Sequence, residues 1–144
     1  MSMFQIFGIS GSAVAAQSQR LNVVASNLAN VDTVAGPDGQ AYKARQVVFQ
    51  TELIGAAQQA SSDAAAPQSS GVRVSTIKED DAPGRRVFDP KHPAADGEGY
   101  VTFSNVNAVD EMVNMIAASR SYQNNIEVMA TAKSLLQKTL QLGQ

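Results

Sequence analysis

The sequence predicts a mostly α-helical protein with a small β-rich insert, in which long N- and C-terminal helices pair as a coiled coil. Two observations support this prediction. Apolar residues recur at alternating steps of three and four at both ends of the chain, which is the spacing of a coiled-coil seam. Between them, short alternating runs and turn residues are typical of strands and loops. We therefore divide the 144 residues into an N-terminal helical region (1–34), an insert (35–106) and a C-terminal helical region (107–144).

The N-terminal helix is predicted to begin at Ser10 or Ser12, either of which can cap it. Arg20 is the only charged residue before Asp32. Because a surface helix of a soluble monomer normally carries charges on its outer face, we expect this helix to contact protein on several sides. The alternative is an Ala- and Ser-rich amphipathic helix without such contacts. The predicted seam, in which Gln17 is the one polar position, consists of Val14, Leu21, Val24, Leu28 and Val31.

A polar stripe borders this seam. Asn22, Ser26 and Asn30 are four residues apart and therefore share one face of the helix. Buried between helices, their side chains could set the register by hydrogen bonding. A solvated face is the alternative.

The insert begins with a turn over residues 36–39, which has proline in its second position and glycine in its fourth. An extended segment is predicted over 42–49, and a loop or linker over 55–71, where Ala, Gln and Ser dominate. Residues 72–77 alternate in polarity and form the clearest strand. Two short extended pieces follow, at 87–88 and 99–103.

The C-terminal helix is predicted over 107–142, about 35 residues and roughly 50 Å long. Asn107 is its predicted N-cap, with Asp110 completing a variant of the capping box, and Gly143 can end it. A rod of this length cannot cover its own apolar stripe in so small a chain, so we expect a partner. Ser119 and Lys133 interrupt the stripe and are candidate contacts to another subunit. The predicted seam consists of Met112, Met115, Tyr122, Ile126, Met129, Leu136 and Leu140.

Composition and motifs argue against an enzyme. The chain has no cysteine, no nucleophile motif and no phosphate-binding loop. A net charge of -2 gives no reason to expect nucleic acid or an anionic membrane surface, and we expect no direct lipid insertion and no cofactor. The best metal candidate is Asp89, His92 and Asp96, which lie in an irregular loop with two prolines. No regular element holds these three groups together, so a metal enzyme is the weakest of our hypotheses.

Several stretches resemble the flagellar axial proteins, the family of rod and hook subunits. The family signature S-N-x-A-N-x-x-T is matched over 26–33, and residues 111–113, 118–123, 132–134 and 140–144 are similar to the family's closing helix. Residues 89–96 and 99–101 resemble one branch, the small proximal rod subunits. The family pattern commonly continues into G-Y after the threonine, whereas here Val34 to Ala41 separate Thr33 from Tyr42. The matched signature residues are Ser26, Asn27, Ala29, Asn30 and Thr33.

The resemblance implies a non-enzymatic, extended subunit of a helical tubular assembly, the rod of the bacterial flagellar basal body. Such a rod spans the periplasm, transmits torque from motor to hook and forms part of the export channel. The implied partners are further copies of the chain, other proximal rod subunits, the distal rod protein, a FliE-type adaptor and the flagellar type III export apparatus. Export without a cleaved Sec signal is expected, because no basic residue precedes the apolar N-terminal residues.

An apolar cluster at the N-terminus, Phe4, Ile6 and Phe7, is a candidate export signal, with a packed helix end as the alternative. The competing hypothesis for the whole chain is a different interaction protein. It would be a non-flagellar coiled-coil adaptor or a type III-secreted needle-type subunit with similar helices.

Overall fold

Two long helices pack along each other in the computed structural model, which describes residues 3–54 and 69–143. Helix α1 is Met3–Ala29 (27 residues) and helix α2 is Ala108–Leu142 (35 residues). The end of α1 meets the start of α2, where Asn27 bonds to Glu111, and Ile6 lies beside Leu135 near the other end of α2. The two helices are therefore antiparallel, and the predicted fold class, two paired terminal helices with a small antiparallel β insert, is confirmed.

The insert contains two antiparallel hairpins. Strands β1 (Arg45–Ile54) and β2 (Ser69–Glu79) pair along their whole lengths, with a register shift between Val48 and Phe49. The second hairpin is short, and it consists of β3 (Arg86–Phe88) and β4 (Tyr100–Thr102). The extended segment predicted over 42–49 corresponds to β1, which begins later, at Arg45, and continues to Ile54. Of the loop predicted over 55–71, residues 69–71 belong to β2 and residues 55–68 lie outside the described residues.

Helix α1 lies between α2 and the β1–β2 hairpin, which explains its lack of charge. It contacts α2 on one side and both strands on another. At the far end of the hairpin, Ser12 Oγ accepts a hydrogen bond from the Val72 N–H at 3.1 Å. A Cβ on Gly71 would lie only 2.6 Å from Ser12 Oγ, so glycine is what permits this close approach.

Neither serine predicted to cap α1 does so. The described helix begins at Met3, and both Ser10 and Ser12 lie inside it. Ser12 Oγ donates to the Ile9 carbonyl at 2.7 Å while it accepts from the hairpin, and Ser10 is buried. Packing against the hairpin thus continues the helix through residues that normally favour its start.

The predicted N-cap of α2 is confirmed, whereas the predicted capping box is wrong. Asn107 is the N-cap, but its Oδ1 accepts from the Val109 N–H at 3.0 Å rather than from Asp110. Gly143 ends the helix with a φ of -93°, a conformation open to any residue, so its glycine character is not required there.

The buried apolar side chains are mostly small. Among the described residues they are Ala16, Val24, Ala44, Val101, Ala118 and Ala132. Small side chains let backbones approach closely, and the larger apolar groups are left at the surface. Within residues 3–54 and 69–143, seventeen large apolar side chains are exposed, of which nine lie on α2. An isolated soluble chain rarely leaves so much apolar surface uncovered.

Candidate functional site

The signature residue Asn27 forms the centre of a buried junction between three elements. Its side chain is 0% exposed. Its Nδ2 donates to the Arg45 carbonyl at 2.8 Å and to Glu111 Oε2 at 2.9 Å. Its Oδ1 accepts from the Arg45 N–H at 3.0 Å and from the Tyr42 hydroxyl at 3.0 Å. Asn27 therefore bonds to the backbone of β1 as a neighbouring strand would, and it also holds the first turn of α2.

Tyr42 contacts the signature despite its separation in sequence. Besides its bond to Asn27, its hydroxyl oxygen lies 3.3 Å from Ser26 Oγ. Residues 34–41 include a turn in which the Gly39 N–H donates to the Gly36 carbonyl, and this turn reverses the chain toward the end of α1. The intervening residues therefore do not prevent the tyrosine from joining the motif.

Glu111 is a buried acid held by amides. Besides the bond from Asn27, its Oε1 accepts from Asn114 Nδ2 at 3.3 Å. Asn114 Oδ1 in turn accepts from Arg20 at 3.2 Å. The one charged residue of α1 thus reaches Glu111 through an amide. Burying a carboxylate is costly unless it is hydrogen-bonded, and these two amides meet that requirement.

The remaining signature residues close the end of α1. Asn30 Nδ2 donates to the Ser26 carbonyl at 2.8 Å, and Thr33 Oγ1 donates to the Asn30 carbonyl at 2.7 Å. The Thr33 carbonyl accepts from the Ser104 N–H at 3.1 Å, which ties the end of α1 to the segment before α2. Ala29 is exposed.

Among the described residues, the predicted polar stripe makes no side-chain hydrogen bond to α2, and its member Ser26 instead contacts Tyr42. Asn22 is exposed, and Asn30 bonds within its own helix. Asn27, one position from the stripe, is the α1 amide that bonds to α2 through Glu111, and Asn114 of α2 accepts from Arg20 of α1. Sequence reasoning placed Asn27 in the signature without a role, and it missed Glu111, which reads as an ordinary acid in the first turn of a helix.

The seam of α2 follows one of the two predicted heptad positions. Met115, Tyr122, Met129 and Leu136 are partly buried as one row. The other row facing α1 is Glu111, Ala118 and Ala132, one residue before the predicted row. Met112, Ile126 and Leu140 are 55%, 40% and 66% exposed in the single chain. They border the seam and are left largely uncovered within the single chain.

The other predicted contact residues are distributed along the same helices. Val24 is 5% exposed, whereas Val14, Leu21, Leu28 and Val31 are partly buried. Phe4 is 80% exposed, and its neighbours Ile6 and Phe7 are partly buried. On α2, Ser119 is partly buried and Lys133 is exposed.

The candidate metal ligands instead stabilise their own loop. Asp89 Oδ1 accepts from the Lys91 N–H, and His92 Nδ1 accepts from the Ala94 N–H. Asp96 accepts from the Tyr100 and Glu98 N–H groups and from Arg86, and these three donors hold the pKa of its carboxyl below the ordinary value of 3.8. No group of three His, Cys, Asp or Glu side chains within 3–54 and 69–143 is placed to bind a metal.

Neither α1 nor α2, over the residues that the structure describes, is long and apolar enough to cross a bilayer.

Comparison with known proteins matches both ends of the chain to one class. Residues 8–37 match the family model described as flagella basal body rod protein, and residues 98–142 match that of the flagellar basal body rod FlgEFG protein C-terminal region. The first match contains the signature and the second contains α2.

Full-length relatives agree with these matches. The chain is 57% identical over 146 residues to flagellar basal-body rod protein FlgC of Yersinia enterocolitica, with 100% of both chains covered. It is 54% identical over 145 residues to FlgC of Salmonella typhimurium, again with 100% of both covered. FlgC of Buchnera aphidicola subsp. Acyrthosiphon pisum is 47% identical over 146 residues, also with complete coverage.

Proposed function

Because this chain belongs to the FlgC family of flagellar basal-body rod proteins, structural and non-enzymatic subunits of the proximal rod, we propose that its two terminal helices carry its assembly with other rod subunits. In this proposal residues 1–34 and 107–144 are the axial regions that build the wall of the rod. The insert, residues 35–106, lies outside that wall or joins adjacent subunits.

The proposal rests on one observation: the chain buries mostly small apolar side chains and leaves many large apolar side chains exposed. The fully buried side chains of the two helices are small or polar, while larger side chains such as Val113, Ile116 and Leu135 are more than half exposed. Burying a large aliphatic side chain contributes about 1.5–3 kcal/mol. Most of this stabilisation is not realised in the single chain, so neighbouring subunits must supply it.

The same arrangement suits a torque-bearing element. Sliding one helix past another separates many seam contacts together, so a helical wall resists shear. The junction at Asn27 couples this wall to the insert, because one side chain bonds to α2 and to the backbone of β1. We infer that strain in the helices reaches the hairpin through this residue.

The finer partners follow from the family resemblance. They are other proximal rod subunits, the distal rod protein and a FliE-type adaptor, with delivery by the flagellar type III apparatus without a cleaved signal. Phe4, Ile6 and Phe7 are the candidate export signal. The exposure of Phe4, at 80%, supports a contact outside the single chain.

Two substitutions test the helix-based assembly. Leu28→Asp and Leu136→Asp each place a charge at a partly buried seam position. We expect loss of swimming and loss of the chain from purified basal bodies, with protein levels unchanged on immunoblots of whole cells. Gln137→Asp is the matched control, because this neighbour of Leu136 is polar and exposed. Normal swimming with either leucine variant would contradict the proposal.

A further inference from the structure

Two Asp-Gly pairs stand in exposed turns of the insert. They are Asp38-Gly39 and Asp96-Gly97, and the sequence contains no Asn-Gly pair. In such a pair the amide nitrogen of the glycine can attack Cγ of the aspartate, because a residue without a Cβ leaves that approach open. Each pair is therefore a candidate site for a rearrangement of the main chain.

The rearrangement passes through a cyclic imide. The glycine nitrogen forms a bond to Cγ, and its proton leaves with the carboxyl hydroxyl as water. A second water molecule then opens the ring at either carbonyl carbon, which gives back aspartate or gives isoaspartate, in which the main chain runs through Cβ and Cγ. Solvent water is the only co-reactant. Ring closure requires the peptide after the aspartate to rotate about the Cα–C bond, and it requires the carboxyl to turn toward the nitrogen.

The turn at Asp38 hinders these two movements only weakly. The carboxyl already lies over the turn, since a Cβ on Gly36 would lie 2.8 Å from Asp38 Oδ1. That oxygen accepts one long hydrogen bond, from the Gln40 N–H at 3.3 Å. Among the described residues the Asp38 carbonyl accepts no hydrogen bond, so the peptide rotation is opposed only by the bond from the Gly39 N–H to the Gly36 carbonyl, at 2.9 Å.

The loop at Asp96 opposes both movements. Its Oδ1 accepts from the Tyr100 and Glu98 N–H groups, each at 2.9 Å, and its Oδ2 accepts from Arg86 at 3.0 Å. The Asp96 carbonyl accepts from the Gly99 N–H at 2.9 Å, which holds the peptide that would have to rotate. Led by the Tyr100 N–H, the three donors also hold the pKa of the Asp96 carboxyl below its ordinary value of 3.8. The neutral acid, whose hydroxyl leaves as water, is therefore rarer at Asp96 than at an ordinary aspartate.

We propose that Asp38 is the residue at which this chain isomerises to isoaspartate, and that the hydrogen bonds of the β3–β4 loop protect Asp96. The proposal is independent of the assembly through the terminal helices. It identifies a modification site, because isoaspartyl carboxylates are the groups that isoaspartyl methyltransferases esterify with S-adenosylmethionine. Isomerisation adds a methylene to the main chain, so it changes the span of the turn that brings Tyr42 to Asn27.

Peptide mapping of aged protein tests the site. The purified chain is incubated at neutral pH and physiological temperature, folded in one sample and unfolded in urea in the other. Isoaspartate at each position is quantified by mass spectrometry of the digested chain, and the total is measured by methyltransferase labelling. In the folded chain we expect at least about tenfold more isoaspartate at 38 than at 96, because a barrier raised by the net contribution of one hydrogen bond slows a reaction about tenfold. In urea we expect comparable amounts, since both sites are then unconstrained Asp-Gly pairs.

Two matched variants give a second measurement. Asp38→Asn and Asp96→Asn each form the same imide with loss of ammonia, and circular dichroism verifies that each variant is folded. We expect the Asp38→Asn variant to deamidate at least about tenfold faster than the Asp96→Asn variant. Folded native chains with equal isoaspartate at both positions, with more at 96, or with none at 38 would overturn the proposal. A ratio between the two sites that urea leaves unchanged would overturn it as well.

Discussion

Replacement of Asn27 by alanine is the sharpest test of the junction. The side chain makes three hydrogen bonds to neutral groups and one to the Glu111 carboxylate. Net contributions of about 1 kcal/mol for each neutral bond and about 2 kcal/mol for the charged one sum to about 5 kcal/mol. Water entering the vacated space offsets part of this loss. We expect Asn27→Ala to lower the free energy of unfolding by about 3–5 kcal/mol.

Urea unfolding of the purified chain, followed by circular dichroism, measures this change. Asn22→Ala is the matched control, since it removes an exposed asparagine from the same helix and should change the unfolding free energy by less than about 0.5 kcal/mol. Asn27→Asp should be worse than alanine at neutral pH, because it places a carboxylate against that of Glu111. An unfolding midpoint of Asn27→Ala equal to that of the native chain would refute the junction as a source of stability.

Three further perturbations test other parts of the fold. Gly71→Ala should lower the free energy of unfolding by about 1–3 kcal/mol, because the added Cβ would lie 2.6 Å from Ser12 Oγ. Gly11→Ala is the control, since its Cβ meets no atom within 4 Å and should not lower the free energy of unfolding. Gln17→Met should raise the urea midpoint, since Oε1 of Gln17 is buried without a hydrogen-bond partner among the described residues. Because the pKa of the Asp96 carboxyl is lowered, we expect this group to stay ionised as the pH falls below 3.8. The stability that it gives the β3–β4 loop is present above pH 3.8 and is lost as the pH falls through the lowered pKa. An NMR titration that finds an ordinary or raised pKa would contradict this.

The two long helices could be predicted because their signal is local. Heptad spacing and an N-cap asparagine define α2 without reference to the rest of the chain, and α2 begins one residue after the predicted cap. The start of α1 could not be predicted in the same way. Its serines and glycines favour a helix boundary, and only the hairpin packed against them shows why the helix continues.

Periodicity determined the spacing of the α2 seam but not its phase. Met115, Tyr122, Met129 and Leu136 belong to both the predicted and the observed seams, so the two seams differ only in the other row of residues. The observed row contains Glu111 and Ala118, which hydrophobicity alone would not select. The alanine permits close approach of α1, and the acid is tolerated because Asn27 bonds to it from that helix. Both reasons are properties of the partner surface.

The amino-acid sequence by itself determined that two amphipathic helices enclose a small β-rich insert and that its signature resembles the flagellar axial proteins. Only the tertiary structure decided that α1 lies between α2 and a hairpin, that Asn27 joins all three, and which apolar faces remain uncovered. The physical reason is the range of the interactions. Helix spacing and capping act over a few residues, whereas the bond between Asn27 and Glu111 joins positions 84 residues apart and exists only once the elements have packed.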